Sequence, residues 1–191
     1  MTLPWTCTGG GPVIVVPSEL AAAWRGTDPP IGVEVPEGWS WGRGDIECDY
    51  DRACEPRGLS DYDSTPYGGV GWLKVADGAA LILDCEIMTA FLPTTDGGYV
   101  IRNYEEEELD EASAQRYVDE ADAAGWRELS LEWVLTGGAL YLFDSAYPGA
   151  AEAGAIEAAD GVGVGSIAPG TYRVAVATTP DEMDVIRIRR V

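Results

Sequence analysis

The stretch ELSLEWVLTGGALYLFD, residues 128–144, decides the fold class. Leu129, Leu131, Trp133 and Leu135 alternate with Glu128, Ser130, Glu132 and Val134. A period of two puts one face in a core and leaves the other mostly polar. Gly137 and Gly138 interrupt the pattern before a second apolar run, residues 139–144, and the local reading is a hairpin. The same grammar recurs along the chain. Residues 70–76 and 79–84 flank Asp77-Gly78, a favoured two-residue turn, and residues 88–92 and 99–104 flank PTTDGG. TYRVAVA (171–177) and DVIRIRRV (184–191) read as two further strands, and the β-branched run in GGPVIVVP (10–17) as a buried one.

Helical signals are fewer. In SELAAAWRG (18–26), Ser18 is placed to cap a short helix and Gly26 to end it, with Leu20 and Trp24 on one face. Residues 111–124 form the one long helix. Asp110 caps it, Gly125 terminates it, and Ala114, Tyr117, Val118, Ala121 and Ala124 make its apolar stripe. Residues 29–44 read as loop and short strand, and residues 149–165 as an acidic, Gly/Ala-rich loop ending in a short strand. The expectation is an α+β fold, mainly antiparallel β. It is a single domain over residues 1–191, with roughly eight to ten strands and two or three short helices.

Charge narrows the function. Twelve basic and 33 acidic residues give −21, and Lys74 is the sole lysine. Such a field repels nucleic acid and anionic membrane and attracts a basic protein. The start, MTLPWTCTGG, lacks a basic segment followed by an apolar run, and no stretch approaches the length that spans a bilayer, so the expected location is cytoplasmic. Four cysteines without a CxxC pair, in a chain with no histidine, argue against zinc and for buried, reduced thiols.

Carboxylates gather in DIECDYDRACEPRGLSDYD, residues 45–63, which spells DYD twice. In the first copy Tyr50, Ala53 and Cys54 share one side of a helical turn, with Asp49 as its cap and Pro56 beyond its end. Asp51 and Glu55 then face outward, free to meet a partner. A calcium loop fails here, because the fifth, sixth and twelfth positions from Asp49 are Ala53, Cys54 and Ser60. The second copy sets Asp61, Tyr62, Asp63 and Tyr67 together, rigid aromatics amid charge. Glu105, Glu106, Glu107 and Glu108 form the densest run, at a helix start where negative charge meets the dipole. These ten residues, Asp51, Glu55, Asp61, Tyr62, Asp63, Tyr67 and Glu105–Glu108, are the candidate partner-binding positions.

Catalysis is argued down. Without histidine every His-dependent triad, dyad or metal site is absent, and GVGVGS (161–166) is not a phosphate-binding loop. No catalytic, cofactor or metal residue is expected. The alternative is a carboxylate-dependent, glycosidase-like hydrolase, which would need two facing carboxylates in a cleft.

Several blocks in succession resemble the immunity protein 21 family of bacterial polymorphic toxin systems: WTCTGGGPVIVVP with LAAAWRG, DYDRAC, FLPTTDGGYVIR, YLFDSAYPG, and APGTYRVAV with VIRIRRV. The resemblance implies a mostly β antidote, not an enzyme, that binds a cognate toxin domain and blocks it. Carried over by position, the family blocks fall on Gly10, Gly11 and Pro12; on Asp49, Tyr50, Ala53 and Cys54; on Phe143, Asp144, Ser145 and Ala146; and on Gly170 and Tyr172. Their residue types read as scaffold, with Asp144 accepting turn amides. The toxin partner is expected to be basic, with an acidic surface steering the encounter.

Overall fold

The computed structural model describes residues 2–43, 45–65, 68–84, 87–103, 109–150, 163–181 and 183–191. Twelve strands lie among them: β1 (Trp5–Thr6), β2 (Val13–Pro17), β3 (Ser60–Thr65), β4 (Gly68–Val75), β5 (Gly78–Leu83), β6 (Met88–Thr94), β7 (Gly97–Asn103), β8 (Arg127–Leu135), β9 (Gly138–Asp144), β10 (Gly163–Ile167), β11 (Gly170–Thr178) and β12 (Asp184–Arg190). The helices are α1 (Ser18–Ala21), α2 (Asp49–Cys54) and α3 (Glu111–Ala124), with a 3-10 turn at Pro56–Gly58. The fold is α+β and mainly antiparallel β. The strands beyond the expected eight to ten include the two-residue β1 and β3, which runs through the second DYD.

The strands make two six-stranded sheets, ordered β1-β6-β7-β12-β11-β8 and β10-β9-β2-β5-β4-β3, with every pairing antiparallel. Between them lies the main core: Val13, Val15, Leu81, Leu83, Leu140 and Leu142 from one side, Phe91, Val100, Leu131, Trp133, Val174 and Ile186 from the other. Each fully buried large apolar chain contributes about 1.5–3 kcal/mol. The outer face of the first sheet carries α3, whose Ala114, Tyr117, Val118 and Ala121 pack on Ala90, Ile101 and Val185. The outer face of the second is covered by Ala21, Trp24, Ala53 and Leu59, which sit over Ile14, Val16, Leu73, Ile82 and Phe143. This layering explains the sequence patterns. β2 is covered on both faces and reads as a continuous apolar run, whereas β8 at a sheet edge alternates buried and exposed.

Arg102 and Asp184 pair across β7 and β12, fully buried with 3.6 Å between Nη1 and Oδ2, a charged pair that is costly to leave half-made.

Three local expectations are corrected. β8 and β9 do not form a hairpin: they lie in different sheets, and Gly137 (φ 91°) and Gly138 (φ 119°) carry the chain over the sandwich edge. Twin glycines supply positive φ to an arch as readily as to a hairpin. The β4–β5 turn is Ala76-Asp77, since Val75 pairs with Gly78 and Ala76 takes φ 50°. Gly78 is already strand, and a Cβ there would stand 2.5 Å from Leu20 Cδ1. In α1, Pro17 holds the cap position and Ser18 is the first helical residue, with no side-chain cap. Two smaller differences complete the comparison. Ala124, at the last position of α3, is exposed, and no strand forms in the described part of residues 29–44. Of the acidic loop at 149–165, its closing strand is β10, and residues 151–162 lie outside the described residues.

Candidate partner-binding surface

The geometry is built around α2. Cys48, not Asp49, is its cap: the Cys48 thiol lies 3.1 Å from Asp51 Oδ2, to which it donates, and the Cys48 amide donates to the same oxygen at 3.0 Å. Burial, with the Asp51 carboxylate alongside, pushes the Cys48 thiol up to about 11. Asp49 is left to reach outward from the helix, accepting the Arg25 amide at 2.9 Å and the Arg52 guanidinium at 2.8 Å. Asp51 also accepts the Gly42 amide, so both of its oxygens are engaged within the chain. The expectation of an outward, unengaged Asp51 is therefore corrected: a helix this short leaves amides at its start, and Asp51 answers one of them. Glu55, at the other end, is exposed.

Tyr50 points inward, buried, against Gly11, where a Cβ would come within 2.5 Å of its hydroxyl. Burial, then the neighbouring Cys54, pushes its phenol up to about 12. The cysteines depart from the expected burial. Cys48 is buried, Cys7 and Cys54 are exposed, and Cys85 lies outside the described residues.

Three more segments lock onto this turn. Asp144 accepts the Ala146 amide at 2.9 Å and the Gly9 amide at 3.1 Å. The Ser145 amide donates to Pro12 O, and Trp24 Nε1 donates to Ser145 O. The Thr27 amide donates to Ala146 O, and the Tyr50 amide to Gly26 O. The blocks GGP, AWRG, DYDRAC and FDSA thus meet at one junction and spend their polar groups on one another.

What that junction holds in place is the segment 28–47. It has no strand or helix among the described residues, an unusual length for an irregular connection and one associated with function. The Trp41 ring stands edge-on to Tyr50 at 5.0 Å. Exposed apolar groups cluster in this part of the chain: Ile31 is 82% exposed, Val33 43%, Trp41 49%, and Tyr147, beside the residue that anchors Thr27, 56%. Glu34, Glu37, Asp45, Glu47 and Glu55 are exposed on the same segments, with Arg43 the exposed cation among them. A hollow of about 490 Å³ opens beside α2, lined by Gly42, Arg43, Asp45, Ile46, Glu47 and Asp51. Of the three carboxylates lining it, Asp51 is a fixed acceptor of backbone amides, and Asp45 and Glu47 are exposed. Sequence reasoning passed over Ile31, Val33, Trp41 and Tyr147. The signal was present as WSWG and IGV in a Pro/Gly-rich stretch, large apolar residues with no period to bury them.

The second DYD lies elsewhere and does different work. Asp61, at φ 53° in a bulge of β3, accepts hydrogen bonds from the Ser130 amide at 2.6 Å, the Ser130 hydroxyl and Trp72 Nε1 at 3.1 Å. The Ser130 contacts hold its carboxyl below the usual range. Tyr62, half-buried, donates to Asp84 at 2.9 Å. Asp63 follows in β3, paired with Val70. Tyr67 and Glu105–Glu108 lie outside the described residues. Among the described residues, no group of three or more Asp, Glu, Cys or His is placed to hold a metal, and no helix is long and apolar enough to cross a membrane.

No curated protein and no solved structure matches this chain. A family model described as Immunity protein 21 matches residues 4–184 of the 191, from the residue before β1 to the first residue of β12. All four blocks that interlock at the α2 junction fall within that span, and the chain belongs to the immunity protein 21 family.

Proposed function

We propose that this chain is a cytoplasmic immunity protein that acts without catalysis, binding a cognate toxin domain and covering its working surface. The reading rests on membership of the family, and one observation supports it: exposed Ile31, Val33 and Trp41 amid exposed Glu34, Glu37, Asp45, Glu47 and Glu55, on a segment pinned to α2. Apolar groups at the centre of a contact and charge at its rim is the usual anatomy of a protein interface, which buries roughly 1,600 Å² in total. Trp41 is the anchor of that contact. The carboxylates, with Glu105–Glu108 elsewhere on the chain, steer a basic partner and set the rate of encounter. Asp51, Asp61 and Tyr62 hold the shape of the protein rather than touch the toxin, because both Asp51 oxygens, Asp61 Oδ2 and the Tyr62 hydroxyl are already committed.

The test begins with the tagged protein used to isolate its toxin from the native cell, followed by assay of the captured toxin with and without its partner. Trp41→Ala should raise the dissociation rate at least about ten-fold while leaving the fold intact. Glu47→Lys with Glu55→Lys should slow association at low salt and lose that effect at high salt. A toxin inhibited equally well by both variants would remove this surface. A captured toxin that keeps full activity would remove the function.

A further inference from the structure

On the opposite side of the sandwich, the outer face of the first sheet is covered by α3 over β6, β7 and the start of β12. The far ends of β8, β11 and β12 are bare, and they carry the arginines. Arg173 sits directly across from Arg189, and Ala175 across from Arg187, so three guanidinium groups rise from one small patch of sheet. Arg190 follows at the strand end, where alternation turns its side chain to the other face, toward Gly170. A hollow of about 240 Å³ is lined by Arg173, Arg187, Arg189, Arg190, Glu128 and Val191. In a chain of 12 basic and 33 acidic residues, this concentration runs against the composition.

The four arginines are not equivalent. Arg187 is fixed, with its Nη2 2.9 Å from Glu128 Oε1 and its guanidinium 4.4 Å above the Trp126 ring. Arg173, Arg189 and Arg190 have no carboxylate within 4.0 Å among the described residues, although Glu132 faces Arg173 from β8 and Asp96 and Asp122 line the hollow next door. Like charges directly opposite on a sheet destabilise it. Glu132, across from Arg173 without an ion pair, offsets that repulsion only in part.

We infer that Arg173 and Arg189, with Arg187 beside them on the same face, form a binding site for a phosphate group. A guanidinium presents a planar fork of donors matched to oxyanions. Three such forks offer more donors than one carboxylate has lone pairs to accept. The terminal oxygens of a phosphate dianion can accept from all three, and its charge offsets most of theirs. The site is independent of the toxin-binding surface and lies across both sheets from it.

The test is thermal unfolding and calorimetric titration with inorganic phosphate, at ionic strength held constant by chloride. The unmodified protein should show a saturable rise in Tm and one binding site. Arg173→Gln with Arg189→Gln should bind at least about ten-fold more weakly and lose the rise. The same variant should unfold in chloride at a Tm equal to or higher than the parent's, since a repulsion has been removed. A parallel titration with glycerol phosphate identifies the source: affinity retained assigns a phosphate monoester, affinity lost assigns free phosphate. Indistinguishable responses to phosphate and chloride, or a double variant that responds like the parent, would overturn the assignment.

Discussion

The tripeptide Asp-Tyr-Asp occurs at residues 49–51 and again at residues 61–63, and the two copies share almost nothing but their letters. The first opens a helix. Its tyrosine is buried against Gly11, and its two carboxylates collect backbone amides from Arg25, Gly42 and Cys48. The second lies in a bulged strand, where its first aspartate reaches into the other sheet for Ser130. Context divides them. Arg-Ala-Cys after the first copy continues a helix that Pro56 then stops, whereas Ser-Thr-Pro after the second favours extended chain. Dense surface charge in a sequence is therefore a poor guide to charge available for a partner. Asp49 and Asp51 in the first copy, and Asp61 in the second, tie the protein's own segments together.

The contrast can be broken most strongly at the tyrosines. Tyr50→Ala removes a buried ring and should cost about 3–5 kcal/mol in urea unfolding. Tyr62→Ala, at a half-buried position, should cost about 1–2 kcal/mol. Equal losses would mean that the second copy is as deeply built in as the first. Next come the aspartates. Asp61→Ala strands the Ser130 amide and hydroxyl and the Trp72 indole, and should cost about 1–3 kcal/mol. Asp51→Ala strands the Cys48 and Gly42 amides and should cost about 1 kcal/mol. If Asp51→Ala is the more damaging, the link between the sheets matters less than the helix start.

A pH series sharpens the same comparison. The Asp61 carboxyl is held below its ordinary value by Ser130, so its contribution is fully present above the unfolded-state pKa and disappears as pH falls through the lower, folded-state one. Asp61→Asn should flatten the fall in Tm between about pH 4 and the acid limit of folding, relative to the parent. The smallest effect is chemical. Exposed Cys7 and Cys54 should alkylate in the folded protein, with Cys54 the slower because burial of its sulfur and Asp51 nearby raise its pKa. Cys48, capping the first copy, should react only on unfolding, and mass spectrometry of partly labelled protein reads the order.

Much of the fold is legible where periodicity and caps act over several residues. The alternation in β8, the apolar run of β2, and Asp110 and Gly125 around α3 all predict the elements found there. What was illegible depends on partners distant in sequence. Gly137-Gly138 has the chemistry of a turn, but only the rest of the sandwich decides whether β8 and β9 pair or part. Gly78 looks like a turn residue and is instead glycine because Leu20 lies over it. Cys48 escaped notice as a cap because sulfur is a weak acceptor, and the more familiar Asp49 stood beside it. The candidate surface was legible in part: the charge of residues 45–55 was plain, but the exposure of Ile31, Val33 and Trp41 was not, since nothing in their spacing says which loop residues find cover.

The order of strands carries a kinetic consequence. β2, made early, lies between β5 and β9, so its second neighbour is Leu140–Asp144, far along the chain. β12, last of the twelve in chain order, lies between β7 and β11 in the middle of its own sheet. Neither layer can complete its ladder before β9 and β12, residues 138–144 and 184–190, have been made. Such long-range closure slows folding and leaves strand margins open to misassociation in the interval. A partial copy that stops short of β12 leaves β7 and β11 without the strand that joins them, so the first sheet closes in one late step.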